Sequence, residues 1–124
     1  MKAVLFVDDQ EVLARLSCEI LRMHGYLAEF AYSGREAVEK FEHGSFDILV
    51  TDFQMENMNG LELARLVRQK TPGLPVIIVS GYGPQPGSGE VNEWLQKAEL
   101  FPALLDKIRQ YIGDPTLNEA LQTN

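Results

Sequence analysis

A single doubly wound α/β domain is the fold class this sequence predicts, and three observations predict it. Strand-like and helix-like segments alternate along most of the chain. The runs Ala3 to Val7, Ile48 to Val50 and Val76 to Val79 are apolar at consecutive positions, as strands covered on both faces must be. Each run then gives way to a polar residue at its carboxyl end: Asp8, Asp52 and Ser80. Right-handed crossovers on a parallel sheet, with helices on both faces, are the default solution for such an alternation.

The composition sets the outer limits. With 124 residues, 45% hydrophobic and 23% charged, the chain has the size and balance of one globular domain. A net charge of −7 repels a phosphate backbone, so direct nucleic-acid binding is not expected. No apolar run is long enough to cross a bilayer, and Met1-Lys2 leads straight into a short strand-like segment rather than a signal peptide; the expectation is a soluble, cytoplasmic protein with no membrane partner. Cys18 is the only cysteine, which excludes an internal disulfide, and with only His24 and His43 besides there is no zinc set. Any metal must be held by oxygen.

The elements follow in order. Ala3 to Val7 is the first strand and ends on Asp8 and Asp9. From Val12 to His24 the residues Val12, Leu13, Leu16, Ile20 and Met23 share one helical side and Arg15, Cys18 and Arg22 point away, which makes Cys18 an incidental surface thiol; Gly25 stops the helix. Leu27 to Ala31 is the second strand, Ser33 an N-cap, and Ala37, Val38 and Phe41 the buried side of a second helix closed by Gly44. The third strand runs through Ile48, Leu49 and Val50 to Asp52. Gly60 opens a helix burying Leu63, Ala64, Leu66 and Val67 and exposing Arg65, Arg68 and Lys70, and Thr71-Pro72-Gly73 ends it. Pro75 to Ser80 is the fourth strand.

Between Gly81 and Asn92 the pattern breaks. Gly81, Gly83, Gly87 and Gly89 with Pro84 and Pro86 argue against a regular helix and for a loop with one helical turn near Val91. Glu93 to Gln96 is a short edge strand ending at Lys97, and Phe101, Leu104, Leu105, Ile108, Tyr111 and Ile112 form the amphipathic face of a last helix. Gly113-Asp114-Pro115 ends the domain, so residues 1–113 are the expected unit and 114–124 a tail or the start of a linker, with a Thr116 to Glu119 capping box too short for a stable helix unless it docks. The expected sheet has five parallel strands in the flavodoxin-like order 2-1-3-4-5, with the fourth helix shortened or missing.

In such a sheet ligands bind beyond the carboxyl ends of the strands. That edge gathers Asp8 and Asp9, Asp52, Ser80 and Lys97. Taken alone, Asp52 reads equally well as a turn cap, helped by Asn57, Asn59 and Gly60; a strand-end serine is usually a turn residue and a lysine usually a solvated charge. Together they are harder to explain as stability. Three carboxylates in one crevice repel one another unless a cation neutralises them, and a hard divalent ion, most naturally Mg²⁺, suits them. Lys97 and Ser80 would then supply a positive charge and a hydrogen-bond donor to a phosphoryl group.

The motifs Val7-Asp8-Asp9, Thr51-Asp52-Phe53-Gln54-Met55 with Met58-Asn59-Gly60, Val79-Ser80-Gly81 and Trp94-Leu95-Gln96-Lys97 make the chain resemble the response-regulator receiver domain of bacterial two-component signalling, over nearly its whole length. The resemblance implies that Asp52 accepts a phosphoryl group from the phosphohistidine of a histidine kinase or histidine phosphotransfer protein. It implies Mg²⁺ held at Asp52 by Asp9 and the Gln54 carbonyl directly and by Asp8 through water. Lys97 would hold the phosphoryl group, Ser80 would move to it, Gly81 would leave room for the donor imidazole, and Trp94 stands where the family places an aromatic switch. Such a domain is a phosphoacceptor rather than an enzyme with a separate substrate, able to catalyse its own phosphorylation and dephosphorylation, and it controls an output partner that the sequence does not name.

Three positions depart from the family pattern. Lys97 is followed by Ala98 where the family has proline in a cis peptide; cis before alanine costs ~3 kcal/mol against ~1 before proline, so the Lys97 loop is expected to run differently. Glu56 replaces a common proline and is expected to face solvent. The Gly81 to Asn92 segment is shorter than the family's fourth helix with its loops, and that helix belongs to the usual output surface. Competing readings are a receiver-like interaction domain that is not phosphorylated, a phosphatase of the haloacid dehalogenase type, whose Asp-x-Asp motif Asp52-Phe53-Gln54 lacks, and a flavin module, whose phosphate Asp8-Asp9-Gln10-Glu11 would repel.

Overall fold

The computed structural model describes residues 2–115. Five strands, β1 (Ala3–Val7), β2 (Leu27–Ala31), β3 (Ile48–Asp52), β4 (Val76–Ser80) and β5 (Glu93–Gln96), form one parallel sheet in the order β2-β1-β3-β4-β5. Four helices, α1 (Glu11–Met23), α2 (Gly34–His43), α3 (Gly60–Lys70) and α4 (Leu100–Ile112), cover it. This is the predicted order, and the register sets Asp52 beside Val79 and Ser80 beside Gln96, so the polar strand ends lie along one edge.

The period-two alternation of the strands divides the core in two. Val4, Phe6, Ile48, Val50, Ile77, Val79 and Leu95 face α1 and α4, while Leu5, Val7, Leu49, Val76 and Ile78 face α2 and α3. Helix starts follow the caps. Ser33 accepts from the Glu36 N–H at 3.1 Å, and Asn59 and Glu62 form a reciprocal capping box at α3.

The buried side of α1 differs from the sequence expectation. Ala14, Ser17, Cys18 and Leu21 face the sheet, whereas Val12, Leu16 and Met23 are exposed and Leu13 and Ile20 half-buried. Three small side chains at i, i+3 and i+4 let the helix approach the sheet closely, which rotates the larger apolar residues to the far side. Cys18 is therefore a core thiol, not a surface one. Leu66, expected inside, is exposed, with Leu61 buried in its place, and Phe101 is exposed while Leu100 fills the core.

The outer edge of β2 is blunted. Leu27, Glu29 and Ala31 turn their backbone groups toward β1, leaving the Ala28 and Phe30 carbonyls outward. Arg22 donates to Ala28 O at 2.6 and 3.0 Å and Lys40 to Phe30 O at 2.6 Å, so both outward acceptors are taken by cations from α1 and α2.

Between β4 and β5 no fourth helix forms among the described residues; a single 3-10 turn, Ser88–Glu90, stands there. That turn is clamped to α3. Arg65 pairs with the Glu90 carboxylate at 2.9 Å, while Arg68 donates to Leu74 O at 3.0 Å, to Glu90 O and to Asn92 Oδ1 at 2.8 Å. After β5 the chain enters a 3-10 turn at Lys97–Glu99 and passes directly into α4, with every peptide bond among the described residues trans. The Thr116 to Glu119 capping box lies outside the described residues. No described helix is long and apolar enough to cross a membrane.

Candidate functional site

The site is assembled by strands that end on acids. Asp8 directly follows β1 and is 1% exposed; its N–H donates to Ala31 O at 3.1 Å and its Oδ1 accepts from the Gln10 N–H at 2.9 Å. Asp52 is the last residue of β3 and is 4% exposed. Its backbone is fixed from several sides: Thr51 Oγ1 donates to the Asp52 carbonyl at 2.9 Å, and the Phe53 N–H donates to Val79 O at 2.8 Å. Gly60 closes the turn, donating to Phe53 O at 2.8 Å; a Cβ there would stand 2.7 Å from Asp52 O, which only glycine avoids.

Asp8, Asp9 and Asp52 bring carboxylate oxygens within 4.8 Å of one another. Lys97 Nζ lies 3.5 Å from Asp52 Oδ2 and 3.9 Å from Asp8 Oδ2. Burial pushes Asp8 up to about 6, against the Gln10 N–H and helped by the Asp52 charge, and burial likewise raises Asp52 against the pull of Lys97. One ammonium thus faces three acids, two of them buried. This donor set, all oxygen and under-neutralised, fits a divalent cation such as Mg²⁺.

An open cleft of about 490 Å³ lies over these groups, lined by Asp9, Gln10, Asp52, Gln54, Gly81, Tyr82 and Lys97. A Cβ built on Gly81 would meet nothing within 4 Å, so the strand-end glycine faces free space. Ser80 is buried, and its Oγ accepts from the Tyr82 N–H at 3.0 Å. Trp94 lies to the side of the cleft, half-buried: its indole N–H donates to Tyr82 O at 3.0 Å and its ring tilts against Phe53 with centroids 5.1 Å apart. Glu56 is exposed.

The structure therefore brings Asp8, Asp9, Asp52 and Lys97 into direct proximity, puts Gln54 and Gly81 on the cleft wall, and sets Ser80 and Trp94 around Tyr82. Sequence reasoning missed Gln10 and Tyr82. The signal available for Tyr82 was a large aromatic side chain placed two residues after a strand-end hydroxyl, within a segment rich in glycine and proline.

Known proteins agree with this geometry. Residues 4–97 match the family model of the response regulator receiver domain. Among curated relatives, the transcriptional regulatory protein GlrR of Escherichia coli is 32% identical over 116 residues, covering 86% of this chain and 26% of GlrR. The autoinducer 1 sensor kinase/phosphatase LuxN of Vibrio campbellii is 29% identical over 111 residues, covering 90% of this chain and 13% of LuxN. The chain thus spans about an eighth to a quarter of the length of these two relatives. Among solved structures, the response regulator TrrA of Thermotoga maritima in complex with Mg²⁺-BeF has a TM-score of 0.83 and 30% identity, covering 90% of this chain and 100% of TrrA. TrrA has also been solved in complex with the histidine kinase ThkA. On the family match, which takes in all five strands and the acidic cleft, the chain belongs to the response regulator receiver domains of two-component systems.

Proposed function

We propose that this receiver domain accepts a phosphoryl group on Asp52 and that residues 1–113 form the switching unit. The observation that carries the reading is the arrangement at one cleft of the Asp52 carboxylate, two further acids with oxygens within 4.8 Å and an ammonium at 3.5 Å. An aspartate nucleophile must approach an anionic phosphoryl group, so charge neutralisation and positioning are what a protein can contribute. Asp8, Asp9, Asp52 and the Gln54 carbonyl are the groups that would hold Mg²⁺, which when bound neutralises the phosphoryl oxygens. Lys97 stands beside the nucleophile and takes another of those oxygens. Ser80 donates its hydroxyl to the phosphoryl group once it has arrived, and its movement is passed to Tyr82 and Trp94.

A histidine kinase or histidine phosphotransfer protein is the proposed donor, supported by the complex of TrrA with ThkA and by the free space at Gly81, where an imidazole can approach. Gln54 stands two positions after Asp52, where a phosphatase of the haloacid dehalogenase type has the acid that protonates the leaving group, which favours a phosphoacceptor over a turnover phosphatase. Intact mass after incubation with acetyl phosphate and Mg²⁺ tests the proposal. Wild type should gain one phosphoryl group and Asp52→Asn none; absence of the gain in wild type, or an equal gain in the variant, would overturn it.

A further inference from the structure

We infer that Tyr82 is the donor-recognising wall of the Asp52 cleft, its ring receiving the imidazole of a phosphohistidine donor. This rests on the phosphoacceptor reading above and adds the residue that distinguishes a heteroaromatic donor from an acyl phosphate.

Tyr82 is 65% exposed, an unusual position for a large aromatic side chain that has no ring partner among the described residues, yet it lines the same cleft as Asp52, Gly81 and Lys97. Its backbone is not free. The N–H is given to Ser80 Oγ at 3.0 Å and the carbonyl takes the Trp94 indole N–H at 3.0 Å, so both polar groups of one peptide-chain residue are anchored to buried or half-buried partners. A residue held at both backbone groups presents its side chain from a fixed base, which lowers the entropy cost of using it in recognition.

The neighbouring residue makes the space. Gly81 has nothing within 4 Å of a built Cβ, so the cleft that Asp52 and Tyr82 both line is open beside it. In the transfer, a P–O bond forms to an Asp52 carboxylate oxygen while the donor's P–N bond breaks. The electron pair of that bond returns to the ring nitrogen, which takes a proton from solvent. The departing group is thus a neutral imidazole, and an aromatic face beside it holds such a flat ring by stacking. Acetyl phosphate has no ring, so it gains nothing from this wall. Trp94 acts through Tyr82 as a positioning residue: its indole N–H is a donor that a phenylalanine at the same site lacks.

The test compares two small donors, N-phosphoimidazole and acetyl phosphate, each with Mg²⁺, following incorporation at Asp52 by intact mass for wild type, Tyr82→Ala, Tyr82→Phe and Trp94→Phe. The quantity read is the ratio of the two rates. Tyr82→Ala should lower the phosphoimidazole-to-acetyl-phosphate ratio by about three- to tenfold, the size of an aromatic pair contribution at a partly exposed site. Tyr82→Phe should keep the ratio, because the ring and not the hydroxyl carries the contact, and Trp94→Phe should lower it to a smaller extent. A ratio unchanged in Tyr82→Ala, including the case in which both rates fall together, overturns the inference. Failure of wild type to be modified by either donor instead overturns the phosphoacceptor reading itself.

Discussion

Trp94 donates its indole N–H to the carbonyl of Tyr82 at 3.0 Å, which ties the edge strand β5 to the loop that follows the buried hydroxyl of Ser80. The same ring rests on Phe53, the residue after Asp52, at 5.1 Å between centroids. One side chain therefore touches the ends of two polar strands.

That relationship predicts a fluorescence signal. Drawing Ser80 toward a phosphoryl mimic on Asp52 strains its bond with the Tyr82 N–H and shifts the population of the loop that accepts the indole hydrogen bond. Beryllofluoride with Mg²⁺ should change Trp94 emission in wild type and leave it unchanged in Ser80→Ala. An unchanged wild-type spectrum, with occupancy established independently, would show that Trp94 does not follow the site.

The contrast between what the sequence made legible and what it hid has a physical basis. The strands were readable because doubly covered strands need consecutive apolar residues, and the acids were readable because parallel strands must end on one edge. Ser33 and Gly44 were readable as local caps. The buried side of α1 was not, because counting large apolar residues favours Val12, Leu16 and Met23, while the helix instead packs by Ala14, Ser17 and Cys18. Tyr82 was hidden for a different reason: its place on the cleft depends on hydrogen bonds from Trp94 and to Ser80, and no periodicity in a Gly/Pro segment encodes them.

Gly60 offers a test of how tightly Asp52 is set. In Gly60→Ala the added Cβ would meet Asp52 O at 2.7 Å, Thr51 Cγ2 at 3.1 Å and Phe53 Cα at 3.2 Å, and two of those neighbours are backbone that cannot rotate away. The expected cost is about 1–3 kcal/mol, seen as a lower urea midpoint at unchanged m-value, together with slower modification of Asp52. Wild-type stability and rate would show that the turn has slack.

The β4–β5 segment should divide into two dynamic parts rather than move as one loop. Residues 88–92 are pinned by Arg65 and Arg68, and Asn92 Oδ1 also accepts from the Val76 N–H at 2.8 Å, whereas Gly81 and Gly83 have no neighbour within 4 Å of a built Cβ. Amide exchange should be slow at Val76 and Asn92 and fast at Gly81 and Gly83, with Tyr82 between them held back by its bond to Ser80 Oγ. Arg68→Ala removes the side-chain donor to the Leu74 and Glu90 carbonyls and one of the two donors to Asn92 Oδ1, and should cost about 1–3 kcal/mol, with exchange accelerated across 88–92. Uniform exchange across the segment would contradict the clamp.

Cys18 gives a pH dependence with a definite sign. Burial pushes its thiol from an ordinary 9.0 up to about 11, with Arg22 and Lys40 opposing the shift. The folded state thus holds the proton after the unfolded chain has lost it. Stability from this group is full below pH 9 and falls as the pH rises from 9 to about 11, by about 2–3 kcal/mol in total. Burial also raises the Tyr26 phenol, so the difference between wild type and Cys18→Ala is the relevant curve. Parallel urea midpoints for the two proteins across that interval would place Cys18 in contact with water.

The metal makes the last prediction. Asp8 and Asp52 are almost fully buried and, among the described residues, share the single ammonium of Lys97, so folding places negative charges together without matching cations. A divalent ion that binds this cluster in the folded state alone must stabilise the fold, and the gain is set by concentration relative to affinity. At ten times the dissociation constant it is about 1.4 kcal/mol, which for a domain of this size raises the melting temperature by roughly 3–6 °C. Asp9 is the exposed acid of the three and is not needed for the core, so Asp9→Ala should fold normally and lose the response. Thermal melts with and without Mg²⁺ decide it. An Asp9→Ala melt that shifts with Mg²⁺ as far as wild type would place the ion elsewhere on this acidic surface, and a shift in neither protein would mean that Lys97 alone neutralises the cleft.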